Sequence, residues 1–217
     1  RLVGSEMCIR DSAYTEQVDQ AGNPEAVADV VKKAQAQDAA NLLQHQKDDG
    51  TSTVKGLGNL TQEELEDYQD QIHNADNKAT IDNIIDKATQ QDASNLLDSQ
   101  RQQGTTTVSG LSHLSEEEQG NYTNQLNDAA TKADIDRIVE DAKAQDATNL
   151  LNNQRQQGAH QISGLANLSS DEKDSYQQQI NKAKSKADID QIYEAAEQQD
   201  AANLLNTQKQ QGHTNIN

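Results

Sequence analysis

The chain has 217 residues and carries 36 Asp and Glu against 18 Lys and Arg, a net charge of −18. That balance argues against nucleic acid or an anionic membrane as a partner, because either needs a basic stripe. Only 32% of residues are apolar and 2% aromatic, with neither Trp nor Phe, which excludes a thick core, and the absence of any run of about 18 apolar residues excludes a helical membrane span.

Residues 1–12, R-L-V-G-S-E-M-C-I-R-D-S, match nothing later in the chain and resemble translated adapter text, so they are read as a non-native segment and set aside. The alternative is a genuine start at Met7. Without this segment the chain has no cysteine, and disulfides, thiol chemistry and Cys-ligated metals drop out.

From residue 13 onward one pattern recurs without insertion or deletion. Q-D-A-x-N-L-L has its Asp at 38, 92, 146 and 200; Gly50, Gly104, Gly158 and Gly212 keep the same interval, as do Tyr14, Tyr68, Tyr122 and Tyr176. The chain is therefore an array, and its units are residues 37–90, 91–144 and 145–198, flanked by partial units at 13–36 and 199–217. Low hydropathy and high charge also describe chains that never fold, but apolar stripes of fixed period with matched caps argue for folding. A unit of this size sits near the lower limit for independent stability, so contact between neighbours should matter.

The partial unit at 13–36 holds Asn23-Pro24, an N-cap followed by Pro at the first helical position. Each full unit then has three parts. Q-D-A-x-N-L-L and a polar tail lead to a stretch such as T-T-T-V-S-G-L-S-H-L, where Val108, Leu111 and Leu114 recur every third residue. The Thr run and the glycines predict a first helix broken or kinked near Gly104. Thr61 with Glu64, Ser115 with Glu118 and Ser169 with Glu172 then form capping boxes, each preceded by a Leu. The second helix they open carries Tyr68-Ile72-Ala75, Tyr122-Leu126-Ala129 or Tyr176-Ile180-Ala183 on one stripe.

A short turn leads to the third helix, clearest over residues 131–158. Ile135, Ile138, Val139, Ala142, Leu150 and Leu151 fall at helical spacing there, Thr131 and Asp134 mark its start, and Gly158 is a plausible stop. Asp146 lies on the stripe itself. A carboxylate there can stay wet only if the two halves of the helix pack into different cores, which marks the junction between units. Spacing leaves open whether the helix is continuous through Asp92, Asp146 and Asp200 and past Gly104 and Gly158. The expected fold is all-α: a tandem array of three-helix bundles in which the third helix of one unit runs into the first helix of the next.

The stretch G-L-A-N-L-S-S-D-E-K-D-S-Y-Q-Q-Q-I-N-K-A-K-S-K-A-D-I-D-Q-I, residues 164–192, resembles the albumin-binding GA module of Gram-positive surface proteins. It resembles still more the GA-like repeats of extracellular-matrix-binding proteins and Lactobacillus-type adhesins. About 30 residues of each unit carry the likeness, chiefly the capped second helix, the I-N-x-A turn and the A-D-I-D-x-I start of the third. The resemblance implies a left-handed three-helix bundle, export, and cell-wall attachment through parts outside this segment. Albumin binding does not carry over whole. Where binding modules read Y-Y-K-N-L-I-N-N-A, this chain has Asp67 and Gln71, Asn121 and Gln125, or Ser175 and Gln179 at the outward positions.

No chemistry emerges from the remaining side chains. No two of His45, His73, His113, His160 and His213 stand at ligand spacing on one helix face, so they read as solvated surface, and no metal or cofactor is expected. Acid pairs such as Asp188 and Asp190 read as first-turn partners of the helix dipole. Tyr68, Tyr122 and Tyr176 are the candidate protein-binding residues, although they continue the apolar stripe and read first as core. The reading is a non-enzymatic adhesin fragment, a monomeric array forming an extended hydrophilic stalk with weak multivalent binding to a host serum or matrix protein. The alternative is a dedicated albumin- or fibronectin-binding module.

Overall fold

In the computed structural model, the structure describes residues 13–216, and the adapter-like segment at 1–12 lies outside them. A first helix, α1, covers residues 13–19. Long and short helices then alternate: α2 (Pro24–Lys55), α3 (Gln62–His73), α4 (Lys78–Ser109), α5 (Glu116–Asp128), α6 (Lys132–Gly164), α7 (Ser170–Lys182) and α8 (Lys186–Ile216). No strand occurs among the described residues. The chain divides after residue 98 into two compact units.

Local sequence sets the starts. Asn23 Oδ1 accepts the Ala26 N–H at 2.8 Å ahead of Pro24, and Asn77 Oδ1 accepts the Thr80 N–H at 2.9 Å. Both halves of the capping box form at α3, α5 and α7. At α6 the Thr131 hydroxyl accepts the Asp134 N–H at 3.1 Å and donates to the Asp134 carboxylate at 2.7 Å.

The expectation of a break near Gly104 is overturned, and so is the stop at Gly158: α4 runs unbroken to Ser109 and α6 to Gly164. These glycines do not take the positive φ of a C-terminal cap. They are buried, and each lacks a side chain where a neighbouring helix comes close. A Cβ on Gly50 would stand 2.8 Å from Ile81 Cγ2, one on Gly104 3.0 Å from Leu126 Cδ2, and one on Gly158 2.8 Å from Ile189 Cγ2. The hydroxyls of Ser52, Thr53, Thr106 and Thr107 each donate to the carbonyl four residues back, so the polar tail continues the helix instead of competing with it.

In the first unit the end of α2, all of α3 and the start of α4 enclose Val54, Ile72, Ala75, Ile81, Ile84 and Ala88, with Leu43, Leu57, Leu60, Leu65, Tyr68 and Ile85 packed around them. In the second unit the same plan is made twice. Val108, Leu114, Leu126, Ala129, Ile135, Ile138 and Ala142 are buried in the earlier bundle. Ile162, Leu168, Ile180, Ala183, Ile189 and Ala196 form the later one, flanked by Leu151, Leu165, Tyr176 and Ile192. At roughly 1.5–3 kcal/mol for each fully buried large aliphatic side chain, such seams are thin, and polar contacts must hold the helix ends. Each bundle uses half of a long helix, one short helix and half of the next long helix, so the fold is a tandem array of three-helix bundles sharing helices. We refer to the bundles around α3, α5 and α7 as modules 1, 2 and 3.

Candidate functional site

The feature repeated with least change is a polar frame around each short helix. At its start, the junction aspartate on the following long helix reaches back to the loop. Asp92 Oδ1 accepts the Asn59 N–H at 2.6 Å and its other oxygen accepts Asn59 Nδ2 at 3.1 Å. Asp200 does the same to Asn167, at 2.6 and 2.9 Å. Asp146 accepts the His113 N–H at 2.7 Å, with His113 Nδ1 3.3 Å from its second oxygen.

One turn on, Asn95, Asn149 and Asn203 close the frame. Each donates Nδ2 to the carbonyl of the same loop residue, at 3.0, 2.9 and 3.0 Å. Each also donates to the capping-box glutamate, at 2.8, 2.9 and 3.0 Å. The glutamates Glu64, Glu118 and Glu172 are held below the usual carboxylate range chiefly by the N–H of Thr61, Ser115 or Ser169. The Asn167 side-chain hydrogen bond does the same for Asp200.

At the other end of the short helix a basic residue caps the last carbonyls. Lys47 Nζ donates to His73 O at 2.7 Å. Arg101 Nε and Nη2 donate to Ala129 O at 3.0 and 2.7 Å, and Arg155 Nε donates to Ala183 O at 2.9 Å with Nη2 on the same oxygen. A cation there also suits the negative end of the helix dipole.

This geometry corrects three sequence readings. Asp146 does not stay wet: its side chain is only 17% exposed and serves the loop before it. His113 is not free surface, since it sits on that carboxylate. Leu150 leaves the buried stripe and is 36% exposed, as are Leu42, Leu96 and Leu204 to a similar or greater degree, while Leu151 packs on the core. Two adjacent leucines lie about 100° apart on a helix, and here it is Leu151 that turns to the core. The frame itself had a signal in the sequence, since the Asp, the Asn and the Lys or Arg all keep the repeat interval, but their partners are about 30 residues away.

The structure places Tyr68, Tyr122 and Tyr176 half-buried on the short helices. Tyr68 and Tyr176 lie against the cores of modules 1 and 3. The hydroxyls of Tyr122 and Tyr176 donate to Asp141 O and Ala195 O at 3.4 and 3.3 Å. Outward on the same helices, Asp67, Gln71, Asn121, Gln125, Ser175 and Gln179 are exposed; Gln71 donates to the Asp67 carboxylate at 2.7 Å and Gln179 to the Ser175 carbonyl at 3.4 Å. An open groove of about 360 Å³ runs between Leu150, Leu151 and Gln154 on α6 and Lys184, Ser185 and Lys186. Among the described residues no group of three or more His, Cys, Asp or Glu could hold a metal ion, and no helix is long and apolar enough to cross a membrane.

Repeated three-helix bundles, joined through shared helices and framed by the same polar contacts in each copy, define a tandem helical-repeat protein. The profile of the GA module family matches residues 11–40, 40–94, 94–148 and 148–202, and the chain belongs to the GA module family. It is 26% identical over 221 residues to the extracellular matrix-binding protein ebh of Staphylococcus aureus strain MRSA252; the match covers 87% of this chain and 2% of that protein. Among solved structures it is similar to the 756–1003 domain of EbhA from Staphylococcus aureus, with 17% identity, 86% of this chain and 87% of that chain covered, and a TM-score of 0.41.

Proposed function

We propose that this chain is a segment of a bacterial cell-surface adhesin, displayed outside the cell and attached to the wall through parts of a longer protein. Its modules, with boundaries at 37–90, 91–144 and 145–198, act as a hydrophilic, non-enzymatic stalk that contributes weak, multivalent contact with a host serum or matrix protein. The observation that carries this reading is the polar outer face of the short helices, where Asp67 and Gln71, Asn121 and Gln125, and Ser175 and Gln179 stand exposed at the same positions in all three copies. Strong binding sites concentrate aromatic or Arg anchors in dry patches, and these faces have neither. The kinship with a matrix-binding surface protein supports the setting, and repetition supplies reach and avidity without a strong site in any one copy. On this reading Tyr68, Tyr122 and Tyr176 are scaffold first.

Calorimetric titration of the whole chain against serum albumin and against fibronectin tests the proposal. The expected result is no saturable binding tighter than about 1 μM. A sub-micromolar Kd with either protein overturns the stalk and establishes a dedicated binding module.

A further inference from the structure

The frame around α5 does not come from module 2 alone. Asp146 and Asn149 belong by sequence period to the copy that builds module 3, yet both side chains close the loop before α5: Asp146 through the His113 N–H, and Asn149 through His113 O and Glu118. Three residues apart, they share one face of α6. Leu151, which packs on the core of module 3, follows Asn149 by two residues, about 200° around the helix. Arg155 and Gly158 then serve α7 and α8. About one and a half turns of α6, from Asp146 to Leu151, thus finish one bundle on one face and begin the next on the other, with no linker residue between them.

The traffic is unequal. Module 2 takes two clamping side chains from the copy that follows. No hydrogen bond or helix contact among the described residues runs from α5 to α7 or α8, so module 3 takes from module 2 only the continuity of α6. We infer that Q-D-A-x-N-L-L is a one-way coupling device: each copy of the motif locks the module before it while nucleating the module after it. Loss of the lock therefore loosens the chain toward its N-terminal side, and damage inside a module does not travel back through an intact motif.

Hydrogen exchange followed by mass spectrometry on the full chain tests this. In Asp146→Ala/Asn149→Ala, exchange over residues 110–119 and in α5 should accelerate about tenfold or more, the scale of a lost charge-assisted hydrogen bond, while α7 keeps its rate. In Gly158→Ala the order reverses: α7 and the start of α8 accelerate, and residues 110–128 do not. The milder Asp146→Asn should give a smaller acceleration at the same place as the double variant. Acceleration of α7 in the double variant, unchanged exchange over 110–119, or acceleration of 110–128 in Gly158→Ala each overturns the inference.

Discussion

The carboxylate of Asp146 holds the backbone N–H of His113 at 2.7 Å across 33 residues of sequence, and the pairs Asn59 with Asp92 and Asn167 with Asp200 repeat that relationship. It explains how bundles with seams of only a few buried aliphatic side chains keep their loops in place. A loop N–H that meets a carboxylate in a shielded position forms a stronger bond than two neutral groups would. Removing that acceptor, in Asp146→Ala, should cost about 1–2 kcal/mol, read as a lower denaturant midpoint for the transition that includes module 2.

Truncation probes the same contact at the last module. A chain ending at residue 198 lacks Asp200 and Asn203, whereas one ending at 208 retains both partners of Asn167. Thermal unfolding followed by circular dichroism should show an earlier transition in the shorter chain. Coincident curves would mean that the period-defined boundary already contains everything module 3 needs.

Glycine substitutions should differ in sign. At Gly120, exposed within α5, a Cβ meets nothing within 4 Å, and Gly120→Ala should stabilise module 2 by about 0.5–1 kcal/mol. At Gly158 the new Cβ would press on Ile189 Cγ2 at 2.8 Å and Ile180 Cδ1 at 3.1 Å. Overpacking of that kind costs about 1–3 kcal/mol and outweighs the gain in helix propensity. Melting temperatures of the two single variants check both directions, and an unchanged value for Gly120→Ala would refute the helical assignment there.

Arg155 should tolerate Lys but not Ala. Two of its nitrogens converge on one oxygen, Ala183 O, and Lys47, at the equivalent position of module 1, serves the same end of its short helix with a single ammonium, on His73 O two residues before the equivalent carbonyl. Arg155→Ala should lose about 1 kcal/mol, with Arg155→Lys close to wild type by urea denaturation.

Acid should weaken the array through its carboxylates. Glu64, Glu118, Glu172, Asp188 and Asp200 are all lowered in the folded chain, the first three chiefly by the backbone N–H of their N-cap residue, Asp188 by the Lys184 N–H and Asp200 by the Asn167 side chain. A lowered folded-state value means that the unfolded chain takes up protons first. Stability is therefore complete at neutral pH and declines as the pH falls below the ordinary carboxylate range, about pH 4, and on through the lowered values. Protonation also relieves repulsion in a chain of charge −18, but in 0.15 M salt that repulsion is screened beyond about 8 Å, so the local hydrogen bonds decide. Melting temperatures between pH 7 and pH 3 should fall at the acid end, and a rise would show repulsion to be the larger effect.

What the amino-acid order determined unaided was everything with a range of a few residues. The capping boxes at Thr61, Ser115 and Ser169, the Tyr-Ile-Ala stripe of the short helices and the bundle plan all follow from contacts three or four positions apart. Only the tertiary structure decided the rest. Gly104 and Gly158 read as interruptions because helix propensity counts the missing side chain against them, while packing uses that absence to bring Leu126, Ile135, Ile180 and Ile189 close. Asp146 read as a wet junction because periodicity assigns a residue to a face without saying what lies opposite. Its partner stands 33 residues back, and a pairing over that distance is set by the angle at which two helices meet, which no local pattern encodes.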